Sequence, residues 1–146
     1  MWQLYPGGVW IDPHVSEELR RKFGLDVHQT LAELQLDYNF TNDYAPELLA
    51  EMLEIKQRRR ALKFADISCI INARLNDAVC LSADNAVYKL CQERNVLVAR
   101  HGGLLAECVR RELITKAEAL EHLTTFLNAG LTMPDEVRDN FFMQFS

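Results

Sequence analysis

Three carboxylates, Glu18, Asp66 and Asp84, each stand at the edge of an apolar segment rather than in an acidic run. Asp66 heads the stretch Ile67-Ser68-Cys69-Ile70-Ile71-Asn72-Ala73, and Asp84 follows Ala78-Val79-Cys80-Leu81-Ser82-Ala83. The order reads as a carboxylate opening a buried helix, then a short buried strand that delivers a second carboxylate at its C-terminal end. In open parallel α/β sheets that end of the strands is where ligands bind. Oxygen ligands brought from separate stretches suit a hard divalent cation, Mg²⁺ or Mn²⁺. That combination points towards phosphodiester chemistry.

Each acid also has a plain structural use. Glu17 and Glu18 are adjacent, and at 100° per residue the apolar stripe of their helix centres near Leu19. Glu17 falls opposite the stripe and Glu18 on its flank, at the rim of the core. Both are also favourable charges near a helix N-terminus. Asp66 must be capped, paired or bound to a cation, because an unpaired carboxylate is costly to bury. Asp84 opens a helix and is equally suited to an N-cap.

Other chemistries lack their signatures. The chain has no GxGxxG, Walker loop or GxSxG elbow,. His101-Gly102-Gly103 suits an anion cradle at a helix N-terminus, or simply a turn into the helix,. Cys69, Cys80, Cys91 and Cys108 form no CxxC pair and read as small buried hydrophobes; His14, His28, His101 and His122 are scattered without metal-ligand spacing,. The net charge of -5 does not advertise nucleic-acid binding globally. Two local basic clusters do exist, Arg20-Arg21-Lys22 and Lys56 with Arg58-Arg59-Arg60 and Lys63. Either is a solvated helix face or a phosphate-gripping rim, since phosphate contacts are made by clusters.

The elements that must position these residues follow from patterning. At 146 residues the chain is expected to be one domain, 1–146, burying roughly 68–70% of its unfolded surface. No apolar run approaches the ~18 residues of a membrane span, and the N-terminus lacks a signal-peptide pattern, so a cytoplasmic protein is expected. Val9-Trp10-Ile11 reads as a short strand. Asp12-Pro13 starts a helix that Gly24 closes, with Val15, Leu19 and Phe23 as its buried stripe,. Helices are expected over 26–34, 46–60, 64–76, 84–94, 103–112, 116–129 and 134–142. Strands are expected over 78–82 and 96–99, with a weaker strand pattern at Leu36, Tyr38 and Phe40. The helix over 64–76 is apolar almost all round, which implies burial against a sheet. Short strands alternating with helices predict an α/β fold with a mostly parallel sheet.

The pieces Ala65-Asp66-Ile67, Leu81-Ser82-Ala83-Asp84, Asn95-Val96-Leu97-Val98, Gly103-Leu104-Leu105, Arg111-Glu112-Leu113-Ile114 and Ala129-Gly130-Leu131 resemble, in order and spacing, the C-terminal half of PIN-domain proteins. In particular the chain looks like a subgroup associated with toxin–antitoxin pairs and predicted to bind nucleic acid. Val9 to Leu19 looks like that subgroup's second strand and the helix carrying its acidic residue. The resemblance is poor over 25–53. It implies a PIN-like three-layer α/β/α ribonuclease fold that uses Mg²⁺ or Mn²⁺ at an acidic cluster, with Glu18, Asp66 and Asp84 as ligands and catalytic acids. The metal would lower the pKa of a bound water and steady the leaving oxygen of RNA. Ser82 and Asn85 would orient water or phosphate, and an antitoxin protein is an implied partner.

One departure matters. PIN proteins open with a central hydrophobic strand ending in Asp, and only eight residues precede Val9 here. Leu4-Tyr5-Pro6-Gly7 looks like the tail of the family's first helix. By this alignment the opening strand and its acid are missing, because the sequence is an N-terminally truncated form or because the fold is rebuilt around another strand. A different alignment makes Val9-Trp10-Ile11 the opening strand, with Asp12 as first acid. A missing ligand would weaken the metal site and leave a degenerate module that binds protein or RNA without cutting. A missing strand would leave backbone groups unpaired, which predicts a homo-oligomer. A purely structural α/β domain with capping carboxylates is the third alternative.

Overall fold

A computed structural model describes residues 3–40 and 44–146. Asp12 sets the first helix. Its Oδ1 accepts the backbone N–H groups of His14 (2.9 Å) and Val15 (3.3 Å), Pro13 takes the first helical position, and Gly24 closes the helix at φ 64°. Strand β1 (Trp10–Ile11) therefore leads directly into helix α1 (Pro13–Phe23). Helix α2 (Val27–Glu33) follows, capped by Asp26, and then strand β2 (Asn39–Phe40). Residues 41 and 42, the end of the segment with the weaker strand pattern, lie outside the described residues. His28 ties this region together: its ring nitrogens meet Ser16 Oγ at 3.2 Å and Tyr38 OH at 2.7 Å.

The rest alternates as the sequence predicts: α3 (Pro46–Arg58), α4 (Phe64–Leu75), β3 (Cys80–Leu81), α5 (Asn85–Glu93), β4 (Val98–Ala99), α6 (His101–Arg110), α7 (Lys116–Asn128) and α8 (Asp135–Phe145). Helix ends are closed by a recurring device. The N–H groups of Leu36, Ala78, Val96, Leu113 and Leu131 each reach back to the carbonyl five residues earlier, at 2.8–2.9 Å. The residue before each sits at positive φ: Gln35, Asp77, Asn95, Glu112 and Gly130. This is the Schellman closure, which satisfies orphan carbonyls and turns the chain sharply out of the helix. Asn and Asp bear the left-handed conformation better than most residues, so Asp77 and Asn95 suit the turns into β3 and β4.

The architecture is α/β, with two small parallel sheets: β1 pairs with β2, and β3 with β4. Each described strand is only two residues long, against five expected over 78–82 and four over 96–99. Among the described residues the two pairs do not join into one continuous sheet.

Two side-chain clusters form the interior. In the larger, Met52 and Ile55 of α3 meet Ile67, Ile70 and Ile71 of α4 and Val87, Leu90 and Cys91 of α5, with Leu62, Cys80 and Val96. In the smaller, Leu105, Ala119, Leu123, Phe141 and Phe145 join α6, α7 and α8. Helix α4 is buried as its composition requires, but its main neighbours are helices α1 and α3 rather than a sheet face. The stripe assigned to α1 is half right. Val15 and Leu19 are partly buried, where α1 packs on α2 and α4, whereas Phe23, its last residue, is 74% exposed.

Candidate functional site

Among the described residues Asp12 is the most buried acid, 3% exposed. Besides capping α1, its Oδ2 accepts the hydroxyls of Tyr44 (2.7 Å) and Ser68 (2.5 Å), which lie 2.8 Å from each other. Ser68 is on α4 and Tyr44 just precedes α3, so one carboxylate binds three segments. Burial first, and then the neighbouring Asp12 charge, push the Tyr44 phenol up and keep it a proton donor. With four donors on its two oxygens, Asp12 is a structural anchor. As the alternative first acid it is already fully engaged.

Glu18 sits on the flank of α1, as helix geometry predicts, at 23% side-chain exposure. Lys22 and then Lys63 (3.1 Å) hold its carboxyl below the usual range. Asp66 is the N-terminal acid of α4 and accepts the backbone N–H of Lys63 at 2.8 Å, one arm of a capping box. Lys63 thus links Glu18 and Asp66: its ammonium serves one and its peptide N–H the other.

Asp84 is exposed and caps α5, accepting the N–H groups of Ala86 (2.6 Å) and Val87 (3.2 Å). It lines a different cavity, one of 850 Å³ between the β3–α5 turn, the start of α6 and helix α8. The hollow beside Glu18 and Lys63 does not include Asp84. Among the described residues no group of three or more His, Cys, Asp or Glu side chains is placed to hold a metal ion. Each of the three acids is instead engaged within the protein, Glu18 by lysine ammonium groups and Asp66 and Asp84 by backbone N–H groups. Of the three acids, Glu18 and Asp66 are linked through Lys63, and Asp84 lines the other cavity.

The 850 Å³ cavity has a polar end built by residues with no part in the acidic set. Arg100, the residue after β4, lies with its guanidinium carbon 4.3 Å from the centre of the Tyr88 ring. Its Nη2 donates to Asn85 Oδ1 at 2.7 Å, while its Nε is buried and finds no hydrogen-bond partner. Arg100 is also the N-cap of α6 and offers no side-chain acceptor to the helix. The first intrahelical bond of α6 is Leu104 N–H to Arg100 O, 2.9 Å, so the N–H groups of His101, Gly102 and Gly103 precede the hydrogen-bonded ladder. Burial pushes the His101 imidazole below its usual pKa, favouring the neutral ring. The opposite wall is apolar, with Met133, Pro134, Val137 and Phe141, and carries the amides of Asn140 and Gln144.

Arg100 was legible by position: it follows β4 as Ser82, Ala83 and Asp84 follow β3, and it abuts His101-Gly102-Gly103. Its charge is opposite in sign to that of Glu18, Asp66 and Asp84, so the acidic pattern does not include it. Asn85, to which the resemblance assigns the orienting of water or phosphate, lines the cavity, and Ser82 Oγ accepts the Asp84 N–H at 3.2 Å. The basic clusters are largely paired within the protein. Arg20 bonds Glu17, Arg58 bonds Glu54, Arg59 bonds Glu93, and Lys56 donates to the carbonyls of Arg60 and Leu62. The four cysteines are free thiols, with Cys80 and Cys91 buried.

Compared with known protein families, with curated proteins and with solved structures, the chain finds no match in any of the three. No helix among the described residues is long and apolar enough to cross a membrane.

Proposed function

We propose that this protein is a PIN-like nucleic-acid-binding module that holds RNA through a phosphate in the Arg100 cavity and does not cut it. The observation that carries this reading is the buried, unpartnered Nε of Arg100 beside the uncapped start of α6. A buried donor without a partner costs about 1–3 kcal/mol, and a phosphate oxygen supplies the missing acceptor. Backbone N–H groups and the helix dipole at the same place favour a negative charge. The neighbouring apolar wall with two amides gives a base somewhere to rest and to hydrogen-bond. The volume lies in the range of small-ligand sites, about 300–1,000 Å³.

RNA is preferred over other phosphate esters because of the resemblance of 65–142 to PIN proteins. That resemblance also supplies the three-layer arrangement, with the two small sheets as halves of a PIN-like sheet. Binding is preferred over metal-dependent cutting because Glu18, Asp66 and Asp84 are separately engaged by lysine and by backbone N–H groups.

Fluorescence anisotropy with a short labelled single-stranded RNA tests the reading. Arg100→Gln is expected to weaken binding about tenfold, equivalent to about 1.4 kcal/mol. The fit is electrostatic, so wild-type affinity falls as salt rises. Equal affinity of the two proteins overturns it. The same RNA incubated with Mn²⁺ is expected to stay intact. Cutting by the wild type that Asp66→Asn and Asp84→Asn abolish restores the metal-dependent ribonuclease in its place.

A further inference from the structure

The Arg100 cavity is lined by two opposite charges that do not pair. Asp84 is, among the described residues, the one acid in its lining. The next residue, Asn85, accepts from the Arg100 guanidinium at 2.7 Å. Yet among the described residues no ion pair or hydrogen bond joins Asp84 itself to Arg100. Capping α5 also uses only half of the carboxylate. Oδ1 accepts the N–H groups of both Ala86 and Val87, and Oδ2 accepts no hydrogen bond from the described residues. Serine or asparagine would cap the helix equally well without a charge.

A carboxylate beside a phosphate site repels any ligand that is only an anion. It becomes favourable when the ligand carries a hydroxyl close to its phosphate, because an ionised carboxylate accepts hydrogen bonds and donates none. Such charge-assisted bonds are also stronger than neutral ones. The rest of the lining follows the build of a nucleotide. Arg100 and the N–H groups at the start of α6 suit the phosphate. Val137, Asn140 and Gln144 are spaced to share one face of α8,, an apolar side chain and two amides that suit a base. Among the described residues neither amide has a hydrogen-bond partner. Between phosphate and base stands the sugar. Within a polynucleotide its 3′ and 5′ oxygens are esterified, so RNA offers one sugar donor, the 2′-hydroxyl, and DNA offers none.

We propose that Asp84 selects RNA over DNA in this cavity, its Oδ2 accepting the 2′-hydroxyl of the ribose next to the phosphate that Arg100 holds. The proposal rests on the RNA-binding reading and adds to it the residue that tells the two polymers apart. The helix cap holds the carboxylate in place through Oδ1, so the acceptor is oriented before the ligand arrives. Against DNA the same oxygen meets backbone charge with no donor to offset it.

Fluorescence anisotropy compares three labelled single strands of one base sequence. They are RNA, DNA with deoxyuridine in place of thymidine, and RNA carrying 2′-fluoro groups, which cannot donate. Wild type is expected to bind RNA about tenfold more tightly than either of the others, since a site that bonds a hydroxyl rejects the analogue lacking it. Asp84→Ser keeps a capping oxygen on α5 and removes the charge with the second oxygen. It is expected to retain the wild-type circular dichroism and to bring the three affinities within about twofold of one another. The selection and the phosphate site fail differently. Equal affinity of the wild type for RNA and DNA, with both weakened by Arg100→Gln, overturns the selection and leaves the phosphate site standing. Discrimination that survives in Asp84→Ser overturns it as well, and so does 2′-fluoro RNA bound as tightly as RNA. Binding that Arg100→Gln leaves unchanged overturns the phosphate site, and the selection with it. Should Asp84→Ser lose its circular dichroism, the wild-type ratio of RNA to 2′-fluoro RNA decides alone.

Discussion

At Asp12 two backbone N–H groups and two hydroxyls converge on one nearly inaccessible carboxylate. Burying a charge is tolerable only with this degree of compensation. Tyr44→Phe or Ser68→Ala leaves the carboxylate one donor short, so each is expected to cost about 1–3 kcal/mol in urea denaturation. Because both hydroxyls serve one oxygen, the double mutant is expected to depart from additivity by at least ~0.5 kcal/mol. The pH dependence has a definite sign. The Tyr44 phenol is raised by burial above its unfolded value of about 10,, so its contribution is complete below that pH and is lost as pH rises beyond it. Tyr44→Phe is expected to flatten that part of the alkaline limb of stability against pH. Sequence reading saw Asp12 as a helix cap or a metal ligand; the cap is what the fold uses. The two hydroxyls were invisible to it, because nothing local in the chain says that residues 44 and 68 meet residue 12. Asp66 and Asp84 likewise keep their capping roles, which are local and so legible, whereas convergence on a cation is a long-range claim that spacing cannot carry.

Among the elements, helices were far easier to read than strands. Asp12-Pro13 with Gly24, and Asp84 before Asn85, mark helix ends by side-chain chemistry that acts over a few residues. Strand length depends on a partner, and here each strand pairs with its neighbour for two residues only. Helix packing adds an interaction with no sequence signature. Glu51 on α3 accepts Arg74 of α4 and Arg94 at the end of α5, each at 2.7 Å. Arg74 and then Arg94 hold its carboxyl below the usual range, against a smaller opposing effect of burial. Its folded-state pKa is depressed, so the stabilisation is present above the unfolded glutamate value of about 4.3 and is lost as pH falls below it. Glu51→Gln is expected to lower stability by about 1 kcal/mol at neutral pH, at the upper end for partly exposed pairs. Thermal unfolding followed from neutral to acid pH checks this: the gap between variant and wild type should close on the acid side. A gap independent of pH would assign the loss to packing instead.

Across the whole molecule the interior is divided, one cluster around α3, α4 and α5 and another around α6, α7 and α8. Composition and length led to a single domain and could not distinguish one core from two, because both clusters draw on the same apolar residue types. The arginine that follows α6 ties the second to the N-terminal stretch, with Arg111 Nη1 donating to the carbonyl of Leu4 at 3.2 Å. Ile70, 1% exposed, lies in the first cluster and Leu123, 0% exposed, in the second. Ile70→Val removes one methylene and is expected to cost about 0.5–1.5 kcal/mol, and Leu123→Ala about 2–5 kcal/mol. Residues in separate clusters share no cavity, so the double variant should equal the sum to within about 0.3–0.5 kcal/mol. Denaturant unfolding read by far-ultraviolet circular dichroism and by tryptophan fluorescence measures both quantities. The two tryptophans, Trp2 and Trp10, are both remote in sequence from α6 to α8, which makes the comparison informative. If the α6–α8 cluster is only loosely coupled to the rest, Leu123→Ala will move the circular dichroism transition and leave the fluorescence transition in place. Coincident shifts in both signals are the expected result for a chain whose two clusters fold as one cooperative unit.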